Sequence, residues 1–432
     1  MAPDTRSIKL ENLSRVEGEG GLLLRFENDE LREAKLDIFE PPRLFEAFLR
    51  GRHFQEVPDI TARICGICPV AYQMSSVHAI EKAFGIVVDP AIRMLRRLLY
   101  WSEWIESHAL HIYLLHAPDF LGYESGISLA RDHPQEVEAG LRLKKTGNDL
   151  LELLGGRAIH PVSVCVGGFY KVPSRRELLA FRGPLEKALQ QSFETLRLVS
   201  RFHFPDFTPD YEFVALSNNA EYALNEGRIA SSRGLEIDVC DFQRCFLEEH
   251  VSHSTALHSV RADGGTSYCV GPLARVNLNL GQLLPRAKEA ASTLGVPWPW
   301  RNPYFSIIAR AVELIQACEE SLILINDYQE PQASSVPVEP KKSYGCAATE
   351  APRGTLFHAY RISAEGLIES ARIVPPTAQN YRRMEDDLKL RLAKSASQCD
   401  DEIISIAENL VRNYDPCISC STHFLRVRII RE

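Results

Sequence analysis

Residues 63–68, RICGIC, and residues 415–420, DPCISC, each contain a CxxC pair, and they lie near opposite ends of the chain. Cysteine thiolates are soft ligands that suit zinc, nickel or iron–sulfur centres. If Cys65, Cys68, Cys417 and Cys420 hold one centre, the two ends of the chain must meet in the core. The pattern then predicts that residues 1–432 form a single interwoven domain rather than a string of separate ones.

Spacing alone leaves the kind of centre open. Structural zinc is the commonest meaning of paired CxxC motifs, but such sites usually close loops of roughly 15–20 residues. Here most of the chain separates the pairs. A thioredoxin-like redox site would need one pair beside a βαβ unit, and no such unit is evident. Structural zinc and a catalytic or redox metal therefore stay about equally favoured at this point.

Composition excludes some classes of function. The 432 residues are 45% hydrophobic and 25% charged, and the formal net charge of −8 argues against a nucleic-acid binder. The most apolar run, LLYWSEWIESHALHIYLL at 98–115, contains Glu103 and Glu106, so it predicts a buried helix and no membrane insertion. The N-terminus lacks a secretory apolar segment, so we expect a chain that is soluble by itself and that could still reach another compartment attached to a partner with a signal.

The other seven cysteines are scattered and show no disulfide framework. We expect them to be free, buried, small apolar residues. They are Cys165, Cys240, Cys245, Cys269, Cys318, Cys346 and Cys399.

Hydrophobic periodicity predicts an α+β fold with a central long-helix bundle and peripheral small antiparallel β-sheets. A β-rich part covers about 1–40, a β-containing lobe about 205–300, and a β-hairpin 355–374, whereas 329–353 is predicted to be loop. Ser174 and Glu177 form a capping box. Helices are predicted at 69–84, 90–117, 134–154, about 174–203, about 303–327, about 378–396 and about 400–412.

Sequence motifs along the whole chain resemble those of nickel–iron hydrogenase large subunits. They occur in order as RVEGEG at 15–20, RICGIC at 63–68, HAPDF at 116–120, GRAIHP…VGG at 156–168, YCVGPLARVN at 268–277, EAPRGTLFH at 350–358, VPPTAQN at 374–380 and DPCISCSTH at 415–423. The ordered set is far more specific than any one motif. The resemblance implies that the fold is that of these large subunits and that the reaction is reversible heterolytic cleavage of dihydrogen.

The resemblance also implies the metal ligands. Cys65 and Cys417 match terminal ligands of nickel, and Cys68 and Cys420 match ligands that bridge nickel to an iron carrying one carbon monoxide and two cyanides. Cys417 is in addition a candidate proton acceptor.

Residues around this centre are implied in the same way. Arg353 matches an arginine that hangs over the open metal position, and Asp119 and Asp415 match carboxylates that hold its guanidinium. Pro352 and Thr377 match residues that line the pocket for the cyanides and carbon monoxide.

Proton transfer and a second metal are also implied. Glu17 matches a glutamate that exchanges protons with a terminal cysteine. Glu46 and His423 match ligands of a magnesium-like ion, Mg²⁺, near the C-terminus. Residues 424–432 match an extension that a maturation endopeptidase removes after the equivalent of His423.

Two departures from the common pattern indicate a branch of the family. Glu19 and Tyr72 stand where many relatives have histidine, as in the cytoplasmic NAD(P)-linked bidirectional and sulfhydrogenase alpha-subunit branch. An iron–sulfur small subunit and flavin-containing NAD(P)-reductase subunits are then implied as partners, because the only cysteine pairs serve the metals. The alternatives are a non-catalytic relative similar to the quinone-site subunit of complex I, which lacks these cysteines, and a structural zinc protein.

Overall fold

A computed structural model describes residues 5–28 and 30–422, so His423 and the extension at 424–432 lie outside the described residues. The predicted α+β class is confirmed, with long helices packed against one another and small antiparallel sheets around them. Within the described part of the chain, no helix is both long and apolar enough to cross a membrane.

The elements of the described residues are as follows. The helices are α1 (Phe45–Leu49), α2 (Val57–Ala62), α3 (Pro69–Phe84), α4 (Pro90–Leu110), α5 (Ala117–Leu121), α6 (Gly126–Asp132), α7 (Pro134–Gly155), α8 (Arg175–Leu179), α9 (Arg182–Val199), α10 (Phe242–Cys245), α11 (Pro272–Leu278), α12 (Pro285–Ser292), α13 (Ser306–Asp327), α14 (Pro376–Leu392), α15 (Asp400–Arg412) and α16 (Ile418–Ser421). The strands are β1 (Thr5–Leu10), β2 (Gly20–Glu27), β3 (Glu30–Ile38), β4 (Val164–Cys165), β5 (Gly168–Phe169), β6 (Val214–Ser217), β7 (Arg228–Ser231), β8 (Glu236–Ile237), β9 (Phe246–Glu249), β10 (His258–Arg261), β11 (Ser343–Ala351), β12 (Gly354–Ile362) and β13 (Ile368–Val374).

Four long helices form the bundle: α4 packs against α7 and α13, and α13 also packs against α9. Asp89 caps α4 by accepting a hydrogen bond from the backbone of Ala91, and Pro90 occupies its first turn. Most of α13 is buried, which explains why its sequence lacks a wide polar face. The bundle also contacts the start of α3, where Glu103 of α4 accepts hydrogen bonds from the backbone just after Cys68.

The two ends of the described chain meet. Strands β1, β2 and β3 form an antiparallel sheet. The connection from β1 to β2 then runs beside the C-terminal segment, where Glu17 and Cys417 form a parallel β-bridge. Ile418 N–H donates to the carbonyl oxygen of Glu17 at 2.8 Å. This backbone pairing brings the N-terminal motif next to the second cysteine pair.

Residues 343–351 correct the loop predicted there, because they form β11 and pair with β12 over its whole length. SYGCAATEA is rich in small residues that are buried on both faces, so the alternation that marks a half-exposed strand is absent. Gly345 lets α3 approach closely, since a Cβ there would lie 2.2 Å from the carbonyl oxygen of Ala79.

Two helix predictions differ in detail from the structure. The predicted helix at 90–117 continues beyond α4 as a π-helix over His111–His116 and ends with α5. The helix predicted from Ser174 to about 203 is divided into α8 and α9, although the Ser174–Glu177 capping box forms as expected. Tertiary packing decides both interruptions, which a periodic pattern does not encode.

The cysteine prediction was wrong for Cys399, which is exposed, and for Cys240 and Cys346, which form a disulfide. The bond joins the segment before α10 to β11 across 106 positions of sequence, a pairing that spacing cannot reveal. Cys269 and Cys318 are free and buried as expected, whereas Cys399 is exposed and Cys165 and Cys245 are half-buried.

Gly147 gives a test of how closely the bundle helices pack. A Cβ at Gly147 in α7 would lie 2.6 Å from Ser102 O and 2.7 Å from Glu106 N, both backbone atoms of α4. We expect Gly147→Ala to lower the free energy of unfolding by about 1–3 kcal/mol through overpacking. Gly183→Ala is the matched control, since nothing lies within 4 Å of a Cβ there.

The measurement is the thermal unfolding midpoint of both purified variants beside the unsubstituted chain. The control should unfold at the same temperature or slightly higher, because alanine favours a helix over glycine by roughly 0.5–1 kcal/mol. Equal midpoints for the two variants would contradict the close packing of α4 against α7.

Candidate metal centre

The first cysteine pair lies at the N-terminus of α3. Cys68 immediately precedes this helix, and Pro69 starts its first turn, where a missing backbone N–H costs nothing. The backbone N–H groups of Ile67 and Cys68 donate to Cys65 Sγ at 3.4 and 3.1 Å. These donors and the positive end of the helix dipole favour a thiolate at Cys65.

Glu103 fixes the start of α3 from the neighbouring helix α4. Its carboxylate accepts hydrogen bonds from Val70 N at 2.6 Å and Ala71 N at 3.2 Å, which satisfies two N–H groups that a helix start leaves without partners. Burial raises the pKa of Glu103 well above its ordinary value. The sequence marked this residue only as an acidic interruption in an apolar run, so its role here was missed.

The second cysteine pair follows α15 and leads into α16. Asp415 has a left-handed backbone conformation, with φ of 51°, which turns the chain before Pro416. Cys417 N–H then donates to Thr377 Oγ1 at 3.0 Å, so α14 fixes the position of this loop. Thr377 therefore lies next to the second cysteine pair, and Pro352 directly precedes Arg353.

The four sulfurs converge. Cys65 Sγ lies 2.8 Å from Cys68 Sγ and 3.6 Å from Cys417 Sγ, although Cys65 and Cys417 are 352 positions apart. Together with Cys420, all four sulfur atoms lie within 4.8 Å of one another, and all four residues are buried. Four soft donors at this separation form a complete ligand set for a thiophilic metal.

The ionisation of these cysteines depends on a nearby positive charge. Burial raises the pKa of Cys417 and of Cys420. Burial acts against ionisation of Cys65 as well, but hydrogen bonds from the neighbouring thiols and the charge of Arg353 lower its pKa well below the ordinary value. Four buried thiolates would repel one another, so a metal cation is required to offset their charge.

Arg353 supplies a fixed positive charge beside the sulfurs. Its Nε donates to the carbonyl oxygen of Asp415 at 2.7 Å, and its Nη2 donates to Asp415 Oδ1 at 3.2 Å. Burial opposes the charge, but Asp415 and the cysteines hold the pKa of Arg353 above its ordinary value. The Nη1 atom is buried and makes no hydrogen bond to the described residues.

Arg275, within the GPLAR part of one sequence motif, supports the segment that carries Arg353. It donates to Ala351 O at 2.8 Å and to Pro352 O at 2.9 Å. The same guanidinium pairs with Glu313 and is wholly buried. No role for this arginine beyond its place in the motif was predicted from the sequence, because its partners come from the distant elements α13 and β11.

The expected pairing of Asp119 with Arg353 was wrong. Asp119 instead receives two hydrogen bonds from Arg412, each at 2.7 Å, and pairs with Arg15. These contacts join α5, the end of α15 and the N-terminal RVEG segment. Among the described residues, Asp415 is the carboxylate that pairs with Arg353, since a motif match does not distinguish which of several nearby arginines a carboxylate meets.

Glu17 lies at the partly exposed side of the sulfur cluster. The thiol of Cys417 donates to Glu17 Oε2, with the sulfur and oxygen 3.0 Å apart, and Ser419 N–H donates to the same oxygen at 3.2 Å. Ser419 Oγ in turn donates to Glu40 Oε2 at 3.0 Å. Ser419 and Glu40 were not predicted from the sequence, where their only signals were a position between two ligands for Ser419 and a position before a Pro-Pro pair for Glu40.

Glu46 is buried and accepts a hydrogen bond from Ile373 N at 2.8 Å. Its proposed partner in holding a magnesium-like ion, His423, lies outside the described residues. The magnesium assignment therefore stays a prediction.

The residues present fit a nickel–iron centre. A compact, electron-rich metal group suits this site for two reasons. The four cysteines supply thiolate ligands in a buried, low-dielectric site, and Nη1 of the buried Arg353 is a donor that such a group could use. The carboxylate of Glu17 is within hydrogen-bonding distance of one ligand, which a purely structural zinc site would not require.

Comparisons with known proteins agree with this geometry. The family model described as nickel-dependent hydrogenase matches residues 43–140 and 265–423. Sulfhydrogenase 1 subunit alpha of Pyrococcus furiosus is 34% identical over 97% of this chain and 98% of its own length. Sulfhydrogenase 2 subunit alpha of the same organism is 35% identical over 97% of this chain and 100% of its own length.

Solved structures share the fold. An NAD+-reducing nickel–iron hydrogenase in the H2-reduced state superposes with a TM-score of 0.88 at 25% identity, covering 97% of this chain and 99% of that one. A nickel–iron–selenium hydrogenase from Dm. baculatum, at 21% identity and a TM-score of 0.80 over 97% of this chain and 100% of that one, shares the fold. The chain therefore belongs to the nickel-dependent hydrogenase family, which confirms the predicted oxidoreductase activity on dihydrogen and the predicted nickel–iron cofactor.

Proposed function

We propose that this chain is the catalytic large subunit of a nickel–iron hydrogenase and that Cys65, Cys68, Cys417 and Cys420 hold the metals. The observation that carries the proposal is the convergence of four buried sulfurs from both ends of the chain. Cys65 and Cys417 would bind nickel alone, and Cys68 and Cys420 would bind nickel and iron together. When bound, the metals supply the acceptor for the electron pair of dihydrogen.

Arg353 acts as a fixed donor and charge at the site. Two hydrogen bonds from Nε and Nη2 to Asp415 set the plane of its guanidinium. Nη1 makes no hydrogen bond to the described residues, so it can donate to a group at the metal site. In a water-poor site, a positioned charge of this kind stabilises negative charge without having to reorient. Pro352 and Thr377 complete the pocket wall beside Arg353 and Cys417.

Glu17 carries the proton away from the site. A proton on Cys417 Sγ faces Glu17 Oε2 at 3.0 Å, which is within reach for direct transfer. Ser419 and Glu40 continue toward the partly exposed side of the protein, since Ser419 Oγ links to Glu40. Protons and electrons would therefore leave the site by separate routes.

Electrons leave through partner subunits. Nickel-dependent hydrogenase large subunits pair with an iron–sulfur small subunit, and here the only CxxC pairs already serve the metals. Flavin-containing NAD(P)-reductase subunits would follow, as the likeness to an NAD+-reducing enzyme supports. A maturation endopeptidase and a cytoplasmic location belong to the same proposal.

The function is tested on the complex purified with its natural subunits. We expect nickel and iron in the large subunit, infrared bands of carbon monoxide and cyanide, and hydrogen-dependent reduction of NAD(P)+. Zinc without nickel, and no such bands, would contradict the proposed function. Reduction of an artificial dye without reduction of NAD(P)+ would leave the dihydrogen reaction in place and overturn the proposed carrier.

The proton route gives a separate prediction. We expect Glu17→Gln to lower hydrogen oxidation at least about 100-fold, because an amide cannot accept the proton. Nickel and iron content and the infrared bands should not change, since Glu17 is not a ligand. Glu19→Gln is the matched control, because Glu19 is exposed two residues away and should retain activity.

Turnover and spectra of both variants are compared in the purified complex. Near-normal oxidation of dihydrogen by the Glu17→Gln variant would remove this residue from the proton route. Loss of metal in that variant would instead give Glu17 a structural role.

A further inference from the structure

A second group of metal-binding side chains lies outside the sulfur cluster. It consists of His253, which follows β9, His258 in β10 and Glu385 in α14. One ligand atom from each residue lies within 4.8 Å of the other two. The group shares no residue with the four cysteines or with Glu46.

The buried side chain of His258 is the observation that points to a ligand at this group. Its side chain is only 1% exposed, and neither ring nitrogen makes a hydrogen bond to the described residues. Leaving a buried polar atom without a partner costs roughly 1–3 kcal/mol, so such atoms usually indicate an unseen partner. Burial lowers the pKa of His258 to about 4, which keeps the ring neutral and its lone pair available at pH 7.

Glu385 and His253 complete the arrangement. Glu385 Oε1 accepts hydrogen bonds from His253 Nε2 at 2.7 Å and from Leu36 N at 3.0 Å. Its second oxygen lies 3.9 Å from His258 Nδ1, too far for a hydrogen bond. Glu385 thus lies between two imidazoles, and its Oε2 and the His258 ring do not hydrogen-bond to each other. One carboxylate and two imidazoles are the ligand types of a divalent transition-metal site.

We propose that His253, His258 and Glu385 bind a divalent first-row transition ion, zinc by preference, at a site separate from the sulfur cluster. Zinc takes two imidazoles and one carboxylate readily, and its fourth position would hold water. His253 is partly exposed, so an ion can reach the site from solvent on the side of this residue.

The distances allow binding with small side-chain movements. Bonds of about 2.0–2.1 Å in a tetrahedral site place ligand atoms about 3.3 Å apart. His253 Nε2 lies 2.7 Å from Glu385 Oε1, and His258 Nδ1 lies 3.9 Å from the other oxygen, Oε2, so each imidazole is within about 1 Å of that separation from one carboxylate oxygen. Binding replaces the hydrogen bond between His253 and Glu385 with two metal bonds.

The ion would stabilise the helix that positions the second cysteine pair. The ring of His258 stacks on Tyr381 of α14, with ring centroids 5.3 Å apart. Tyr381 Oη lies 2.8 Å from the hydroxyl of Ser421, the residue after Cys420. Thr377, also in α14, accepts a hydrogen bond from the backbone N–H of Cys417. An ion that joins α14 to β10 therefore fixes α14 without taking part in the dihydrogen reaction.

The test locates the ion directly in crystals of the intact complex purified without chelators. Anomalous diffraction is recorded above and below the zinc edge, and also at the nickel and iron edges, before and after dialysis against Zn²⁺ alone. We expect a peak about 2.0–2.1 Å from the two imidazoles, away from the four sulfurs. A peak for another first-row divalent ion at this position also supports the site.

Variants link the ion to its ligands. His258→Gln and Glu385→Gln should each lower the metal content by one ion per chain, whereas His250→Gln, an exposed histidine of the same β9–β10 connection, should not. His253→Gln, at the partly exposed side, is the variant least able to disturb folding.

Two outcomes would overturn the site. The first is the absence of an anomalous peak at these residues even after dialysis against Zn²⁺. The second is unchanged metal content in His253→Gln, His258→Gln and Glu385→Gln. Neither depends on hydrogenase activity.

Discussion

Four buried sulfurs held within 4.8 Å of one another are the constraint on which the structure depends. Thiolates at that separation repel, and burial removes the water that would screen them. Four ionised sulfurs therefore require a cation at their centre and a scaffold that prevents them from separating. Because the ligands come from both ends of the chain, metal binding and the closure of the fold are coupled.

The scaffold holds each ligand pair by a different means. The first pair is fixed by the start of α3, whose backbone N–H groups are held by Glu103 of the bundle. The second pair lies in a turn fixed by Thr377 and by the β-bridge to Glu17. Rigid elements thus support both pairs, which agrees with the need to hold reacting groups in place.

The sequence predicted the fold class, the principal helices and the four candidate ligands, because periodic helices and CxxC pairs are local signals. It did not predict β11, whose small residues are buried on both faces. The pairing of Asp119 with Arg412, the disulfide of Cys240 and the cluster around His258 were also missed. Each joins residues that are distant in sequence, so only the folded chain brings them together.

X-ray absorption at the nickel edge of the purified complex identifies the atoms bound to nickel. We expect a first coordination shell made of sulfur, consistent with four cysteine ligands. Replacing Cys417 by serine should remove or alter that shell, because this sulfur comes from the far end of the chain. A shell dominated by nitrogen and oxygen, unchanged by Cys417→Ser, would contradict the account.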